Sequence, residues 1–427
     1  MTIPENPKTD RNRMAAVLAR LPQNGIDRNN YISAFLMGAL PAVGGSVISV
    51  LLYTFFVWAV ISLCLGRFSF RMTRSDRVLA WTFTIFVVVI IFTALIGEEP
   101  SRAPLSFVWL LAFLSPWAII PRLRASPSVD YLQPYVTGAA TGAIAACVVG
   151  LIQLSLLDLR PEAAAGNPAV FGMMSLMLMG LGGLKIGSLS RTAMLFGAVA
   201  IGAGFGAVFL SLTRGVLIAC IPVLILLVTF APQSMRYIAR HPATLLALVA
   251  AAVTLYLVRD MVDLRWQQTA LEINLVLQDK YTSSVGERLR LWQAAQEAIS
   301  QSPIWGYGIQ NRMAALTPTL IMDGNLVRGF THAHNGFLTF ALDGGVLALS
   351  AVIAVLLVPV YIAWNASRDA SYRLRLFAAL IVTSSYALCG MTQIMFKHDI
   401  MDSFFVFFSM LIAASIPDKS EKATASS

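Results

Sequence analysis

Apolar runs about twenty residues long alternate with short polar connectors over most of this 427-residue chain. A helix needs ~20 apolar residues to cross a bilayer core about 30 Å thick, because each residue rises only about 1.5 Å. The run from Ile32 to Gly66 exceeds that length. Pro41, Gly44 and Gly45 interrupt it near the middle, so it predicts two short crossings joined by a tight turn. Single spans are expected at about 78–97, 104–121, 131–156, 169–186, 192–212, 216–231, 243–258, 343–364, 375–394 and 402–416. The expected fold is all-α, a polytopic membrane protein of about twelve transmembrane helices. Its organisation reads as a tail over 1–31, helices one to nine over 32–258, a long polar loop over 259–335, helices ten to twelve over 336–416 and a tail over 417–427.

Charge changes this picture by giving it a direction. Arg67, Arg71, Arg74 and Arg77 fill one connector, and Arg122 with Arg124, Lys185 with Arg191, Arg236 with Arg240 and His241, and Arg368 with Arg373 and Arg375 fill others. The intervening connectors are acidic or mixed: Glu98-Glu99-Pro100, then Asp158, Glu162 and Asn167, then Lys397, His398 and Asp399. The positive-inside rule then predicts two cytoplasmic termini and an outer-face 259–335 loop, which is periplasmic in a Gram-negative inner membrane. The first thirty residues include Lys8, Arg11, Arg13, Arg20 and Arg28, and the end carries Lys419 and Lys422. Both read as cytoplasmic tails, with no cleavable signal peptide expected.

Composition agrees. Hydrophobic residues make up 57% of the chain and charged residues 12%, about half the fraction of a soluble domain. The net charge of +9 sits in the connectors, where anionic lipid headgroups account for it and nucleic acid is not an expected partner. Cys64, Cys147, Cys220 and Cys389 lie in apolar runs without metal-type spacing and read as small buried hydrophobes.

Within the loop, Leu264, Leu271, Leu275 and Val276 predict an amphipathic helix over 262–280. Ser284 is a candidate cap for a second helix that must stop before Pro303, with Leu289, Trp292, Ala295 and Ile299 as its packed stripe. Gly306 and Gly308 read as a tight turn. Asp343, with Gly344 and Gly345, reads as a helix cap, and the glycine runs at 180–183 and 202–206 as close helix packing.

Several residues carry candidate chemistry. Arg214 sits between two apolar spans with almost no connector and reads either as an anion-binding group or as an arginine snorkelling to headgroups. Arg288 and Arg290 are alternatives for a guanidinium aimed at a phosphate, against the plainer reading of a solvated face paired with Glu287. His332 and His334 form a His-x-His pair without a third ligand, so no metal is expected; His334 suits a general base. Asn335 would orient that ring or contact sugar, and Tyr281, Trp305, Tyr307 and Phe330 would stack on sugar rings or simply pack. There is no Walker motif, dinucleotide fingerprint or zinc-protease motif.

The stretch from Arg214 to Ala348 resembles the O-antigen ligase and polymerase superfamily of bacterial membrane glycosyltransferases. Three pieces carry the resemblance: Thr213-Arg214-Gly215, where the family usually has Ser-Arg-Gly; Arg288-x-x-x-Trp292 followed by the turn Pro303 to Gly308; and His334-Asn335 with Gly345 about ten residues on. Thr213 for Ser and Ala348 for the usual Gly, Thr or Tyr of ligases are departures from the pattern. The N-terminal half matches only in topology. The resemblance implies an enzyme that takes a glycan from undecaprenyl diphosphate and transfers it to a sugar hydroxyl on lipid A–core (a ligase, the first reading) or on another repeat unit (a polymerase, the second). It also implies that Arg214 and Arg288 hold the diphosphate, that His334 is the base, with Arg290, Asn335, Trp305, Tyr307 and His332 around the substrate, and that neither metal nor cofactor is needed. Two other classes compete. A transporter or flippase would show paired charges at the middle of several spans, and a non-catalytic assembly factor would tolerate changes at Arg214, Arg288 and His334.

Overall fold

The computed structural model describes residues 22, 24–96, 107–127, 129–157, 159–240, 259–321 and 330–418. The expected tails before residue 22 and after 418, the Glu98-Glu99-Pro100 connector, Asp158 and the ninth span at about 243–258 lie outside the described residues. Helices account for every regular element among the described residues, and no strand occurs there.

In chain order the α-helices are α1 (Gly25–Ala39), α2 (Val47–Cys64), α3 (Arg74–Leu95), α4 (Leu111–Leu114), α5 (Pro116–Arg124), α6 (Leu132–Leu156), α7 (Pro168–Gly183), α8 (Arg191–Leu210), α9 (Arg214–Phe230), α10 (Pro232–Arg240), α11 (Arg259–Leu277), α12 (Ser284–Gln301), α13 (Gly308–Asn311), α14 (Thr317–Ile321), α15 (Gly336–Trp364), α16 (Tyr372–Gly390) and α17 (Asp399–Ala414). Seven of them are long and apolar enough to cross a membrane: α2, α3, α6, α7 with its 3-10 extension to Gly187, α8, α15 and α16. The other expected crossings differ for visible reasons. Helices α1, α9 and α17 have 15, 17 and 16 residues, short of the ~20 of a full span. The fourth is broken into a 3-10 turn at Val108–Leu110, α4 and α5, where Pro116 has no N–H to continue the ladder. The run around Pro41 does split into α1 and α2, as its proline and glycines predict.

Of these short helices, α17 is enclosed. Every residue of α17 from Ile400 to Ala413 is buried, against α2, α3, α5 and α15. Its Phe404, Phe405, Phe407 and Phe408 join a ring network with Tyr135, Phe83 and Tyr386. Lipid tails are as apolar as these side chains, so close packing rather than escape from water selects this centre. Close approach also joins α1 to α6, where a Cβ on Gly138 would overlap the Phe35 carbonyl. The two glycine runs lie in α7 and α8, which pack on each other.

Three arginines of the basic connectors are structural. Arg122 is buried among Asn29, Asn30 and Ser62, with its guanidinium 4.9 Å from the Phe55 ring centroid. Arg124 pairs with buried Asp76 at 2.9 Å and donates to the Ala413 and Ile416 carbonyls, while Arg375 donates to the Ser415 carbonyl. Both therefore satisfy the end of α17, where the helix leaves carbonyls without partners. Cys220 and Cys389 are buried as expected, Cys147 is partly so, and Cys64, the last residue of α2, is exposed where the helix ends.

Candidate functional site

The site is built where the first turn of α9, the loop helices α11 and α12, and the segment entering α15 meet. Arg214 is the first residue of α9, after a turn in which Leu212 has φ +54°. Thr213, the N-cap, makes no side-chain capping bond; its carbonyl accepts from the Val216 N–H at 3.1 Å, and the Arg214 and Gly215 N–H groups, unbonded among the described residues, add positive potential beside the guanidinium. Arg160 braces this turn: its Nε donates to the Ser211 carbonyl at 3.0 Å and its Nη2 to Thr213 Oγ1 at 3.3 Å. Arg214 Nη1 donates to Glu272 Oε2 on α11 at 2.9 Å. With the two side chains 38% and 18% exposed, such a pair is worth at most about 1 kcal/mol, so an incoming dianion can displace the carboxylate.

Helix α12 begins one residue earlier than the sequence suggests. Ser283, not Ser284, is the N-cap, accepting from the Gly286 N–H at 3.1 Å. The buried stripe is correspondingly Leu291, Ala294, Ala295 and Ala298, packed against Leu316, Ala333 and Leu342, with Trp292 and Ile299 at its border and Leu289 outside it. Arg288 is half-buried on this helix. Burial lowers its pKa, the Arg214 charge lowers it further, and Glu272 opposes both. Arg290 points elsewhere, its guanidinium 4.8 Å from the Tyr281 ring centroid and 3.2 Å from Gln293 Oε1. Of the two arginines, Arg288 thus faces Arg214 and the histidines.

The link between the Arg288-x-x-x-Trp292 and His-Asn pieces is a hydrogen bond. One turn after Arg288, Trp292 Nε1 donates to the Ala333 carbonyl at 3.0 Å, pinning the peptide between His332 and His334. The two imidazole centroids lie 4.4 Å apart, and Phe330 meets His334 edge-on at 5.3 Å. His334 has φ +48° and a buried Nδ1 without a protein hydrogen-bond partner among the described residues. His332 Nδ1 lies 3.0 Å from Thr331 Oγ1. Burial lowers the His334 pKa, and the Arg288 charge lowers it further. Burial brings His332 down to about 4, helped by His334, Arg312, Lys397 and Arg288. Both rings are consequently neutral at pH 7, the form able to accept a proton.

Asn335 is the residue from which α15 starts. Its Oδ1 caps α15, accepting from the Leu338 N–H at 3.1 Å. Tyr307 is likewise engaged by the protein, its hydroxyl donating to the Ala298 carbonyl at 2.8 Å, whereas Trp305 is half exposed and meets Phe92 at 6.1 Å. The spacing from His334 to Gly345 is explained by a break in α15. Gly345 has φ +57°, and a Cβ there would overlap the Ile304 backbone, because the Pro303–Gly308 turn inserts at this point. The Tyr307 and Val346 N–H groups donate to the Leu342 and Pro303 carbonyls across the junction.

Asp343 is no helix cap. It is fully buried and receives Arg312 Nη1 on both carboxylate oxygens, at 3.1 and 3.2 Å, and Lys397 Nζ on Oδ2. Arg312 Nε also donates to the Thr331 carbonyl at 2.9 Å, which ties this buried charge cluster to the histidine segment. Arg160, Arg312 and Lys397 escaped the sequence reading as site residues. The available signal was Asp343 itself, since a carboxylate in an apolar span requires a cation. Asp343→Asn leaves two cations around a neutral amide and is expected to cost about 3–5 kcal/mol. Thermal unfolding in detergent checks this; a melting temperature equal to wild type contradicts the pairing.

Residues 173–353 match a family model described as O-Antigen ligase. No curated protein matches the chain. The matched region contains Arg214, Arg288, Trp292, His334, Asn335 and Gly345, and over it the chain is similar to the O-antigen ligase family.

Proposed function

We propose that this protein transfers a glycan from undecaprenyl diphosphate to a sugar hydroxyl, on the periplasmic face of a bacterial inner membrane, with lipid A–core as the acceptor. The observation that carries the reading is the convergence of Arg214, Arg288 and His334 from three separate segments, with the histidines neutral. Two guanidiniums and the free N–H groups of α9 form an anion-binding end; a neutral imidazole beside them forms a proton-accepting end. In the reaction the acceptor oxygen bonds to the anomeric carbon, its proton passes to His334, and the bond from that carbon to the diphosphate oxygen breaks. The diphosphate is already a dianion in the donor and gains a further negative charge as it departs, which Arg214 and Arg288 stabilise more strongly than the less charged ground state. Glu272 holds Arg214 in place until the donor arrives.

The topological part of the proposal has about twelve crossings with both termini in the cytoplasm. The grouping of Arg67, Arg71, Arg74 and Arg77, and of Arg368, Arg373 and Arg375, at the opposite ends of their helices from the histidines supports that orientation. The surface-glycan profile of a deletion strain, beside a wild-type complement, tests the function. Full-length polymer left on the carrier lipid with bare lipid A–core is the expected result. Core capped by a single repeat unit would make the protein a polymerase, and an unchanged ladder would remove lipopolysaccharide as the product.

A further inference from the structure

Helix α9 runs from Arg214 to Phe230, so its far end lies about 25 Å from the site just described. A cavity of about 610 Å³ opens at that end, between the ends of α7 and α9 and the first turns of α10 and α16. Its polar lining is Gln133, Lys185, Ser188, Gln233, Ser234, Ser371 and Arg373, and no carboxylate of the described residues contributes to it. The nearby Asp369 is already engaged by Arg375 Nη2 at 2.8 Å and by the Ser371 N–H at 3.0 Å. Lys185 has neither a hydrogen-bond nor an ion-pair partner among the described residues. Arg373 is fixed at the rim, where Nη2 donates to the Phe230 carbonyl at 2.8 Å and the guanidinium lies 5.7 Å from the Phe230 ring centroid. Its charge meets no carboxylate among the described residues.

Two cations without counter-charges facing one cavity call for an anion. Surface lysines and arginines in water need none, but here Phe230, which lines the cavity, ends a helix with an exposed apolar face. Along α9, Ile218, Ile221, Ile225 and Val228 are 67%, 60%, 57% and 46% exposed at helical spacing, and Leu189 at the rim is fully exposed. That face suits acyl chains, and basic pockets between membrane helices are suited to lipid phosphates. We propose that this cavity binds the phosphodiester headgroup of an anionic membrane phospholipid. Lys185 and Arg373 contact the phosphate, and the chains lie along the exposed face of α9.

The test is the melting temperature of the purified full-length protein in neutral detergent, with added phosphatidylglycerol, phosphatidylcholine or inorganic phosphate. Phosphatidylglycerol near one hundred times its Kd is expected to raise it by about 5 °C, and the other two by far less. Lys185→Gln removes no hydrogen bond or ion pair among the described residues, so without lipid it should melt close to wild type and should lose the lipid-induced rise. Arg373→Gln is compared by its lipid-induced rise alone, which should also disappear. An equal rise with phosphatidylcholine would overturn headgroup recognition, and an equal rise with inorganic phosphate would overturn the lipid assignment. A phosphatidylglycerol effect that survives Lys185→Gln would place the lipid elsewhere.

Discussion

Arg288→Ala and Arg214→Ala are each expected to lower glycan transfer about 10²–10³-fold while the protein still inserts and folds. The magnitude is that of removing one preorganised donor from a developing oxyanion. The loss should fall mainly on kcat, because charge on the diphosphate grows as the glycosidic bond breaks. Lysine at position 288 should restore little, since an ammonium lacks the fork that grips two phosphate oxygens. The double variant should lose less than the product of the single losses, because both guanidiniums serve one anion. Glu272→Gln should act in the opposite direction. It removes the carboxylate that occupies Arg214 Nη1, and so should lower the KM for the donor. Initial rates with saturating and limiting lipid-linked donor separate these effects; normal transfer by Arg214→Ala or Arg288→Ala would remove the diphosphate-holding role.

His334→Ala should reduce turnover about 10²–10⁴-fold, the range of a lost general base, with donor affinity little changed. The pH dependence follows from the same geometry. Burial first, and the Arg288 charge second, hold the His334 pKa below its ordinary value of 6.5. The neutral form is the active one, so kcat/KM should be flat at pH 7 and fall as pH drops through a value below 6.5. In Arg288→Ala one of the two lowering causes is gone, and the acid limb should move upward. A limb that stays in place in that variant would mean that Arg288 does not act on the ring that titrates.

Much of this site was legible in the sequence because its key residues sit at abrupt changes of pattern. Arg214 interrupts two apolar runs, and His334-Asn335 ends a polar loop just before another begins. Local spacing also placed α12 and stopped it before Pro303. What spacing did not reveal depends on tertiary contacts. Successive helical residues differ by about 100° in direction, and helical spacing alone fits two neighbouring stripes on α12. Leu291 and Ala294 face inward where Leu289 had been expected. The Trp292 bond to Ala333 joins residues 41 apart, and the Lys397 bond to Asp343 joins residues 54 apart. No local period encodes either. The span count is less legible for a different reason: an apolar run is read from composition, and the 16 residues of α17, all but its ends enclosed by protein, do not by composition tell a short crossing from a buried helix.

The most direct measurement is transfer by the purified full-length protein, supplied with undecaprenyl-diphosphate-linked glycan and lipid A–core in the presence of EDTA, with product followed on a gel. The account predicts glycan-bearing lipid A–core from wild type, undiminished by the chelator, and almost none from Arg214→Ala, Arg288→Ala or His334→Ala. Transfer that stops with EDTA and returns with a divalent metal, or that persists in those three variants, would contradict it.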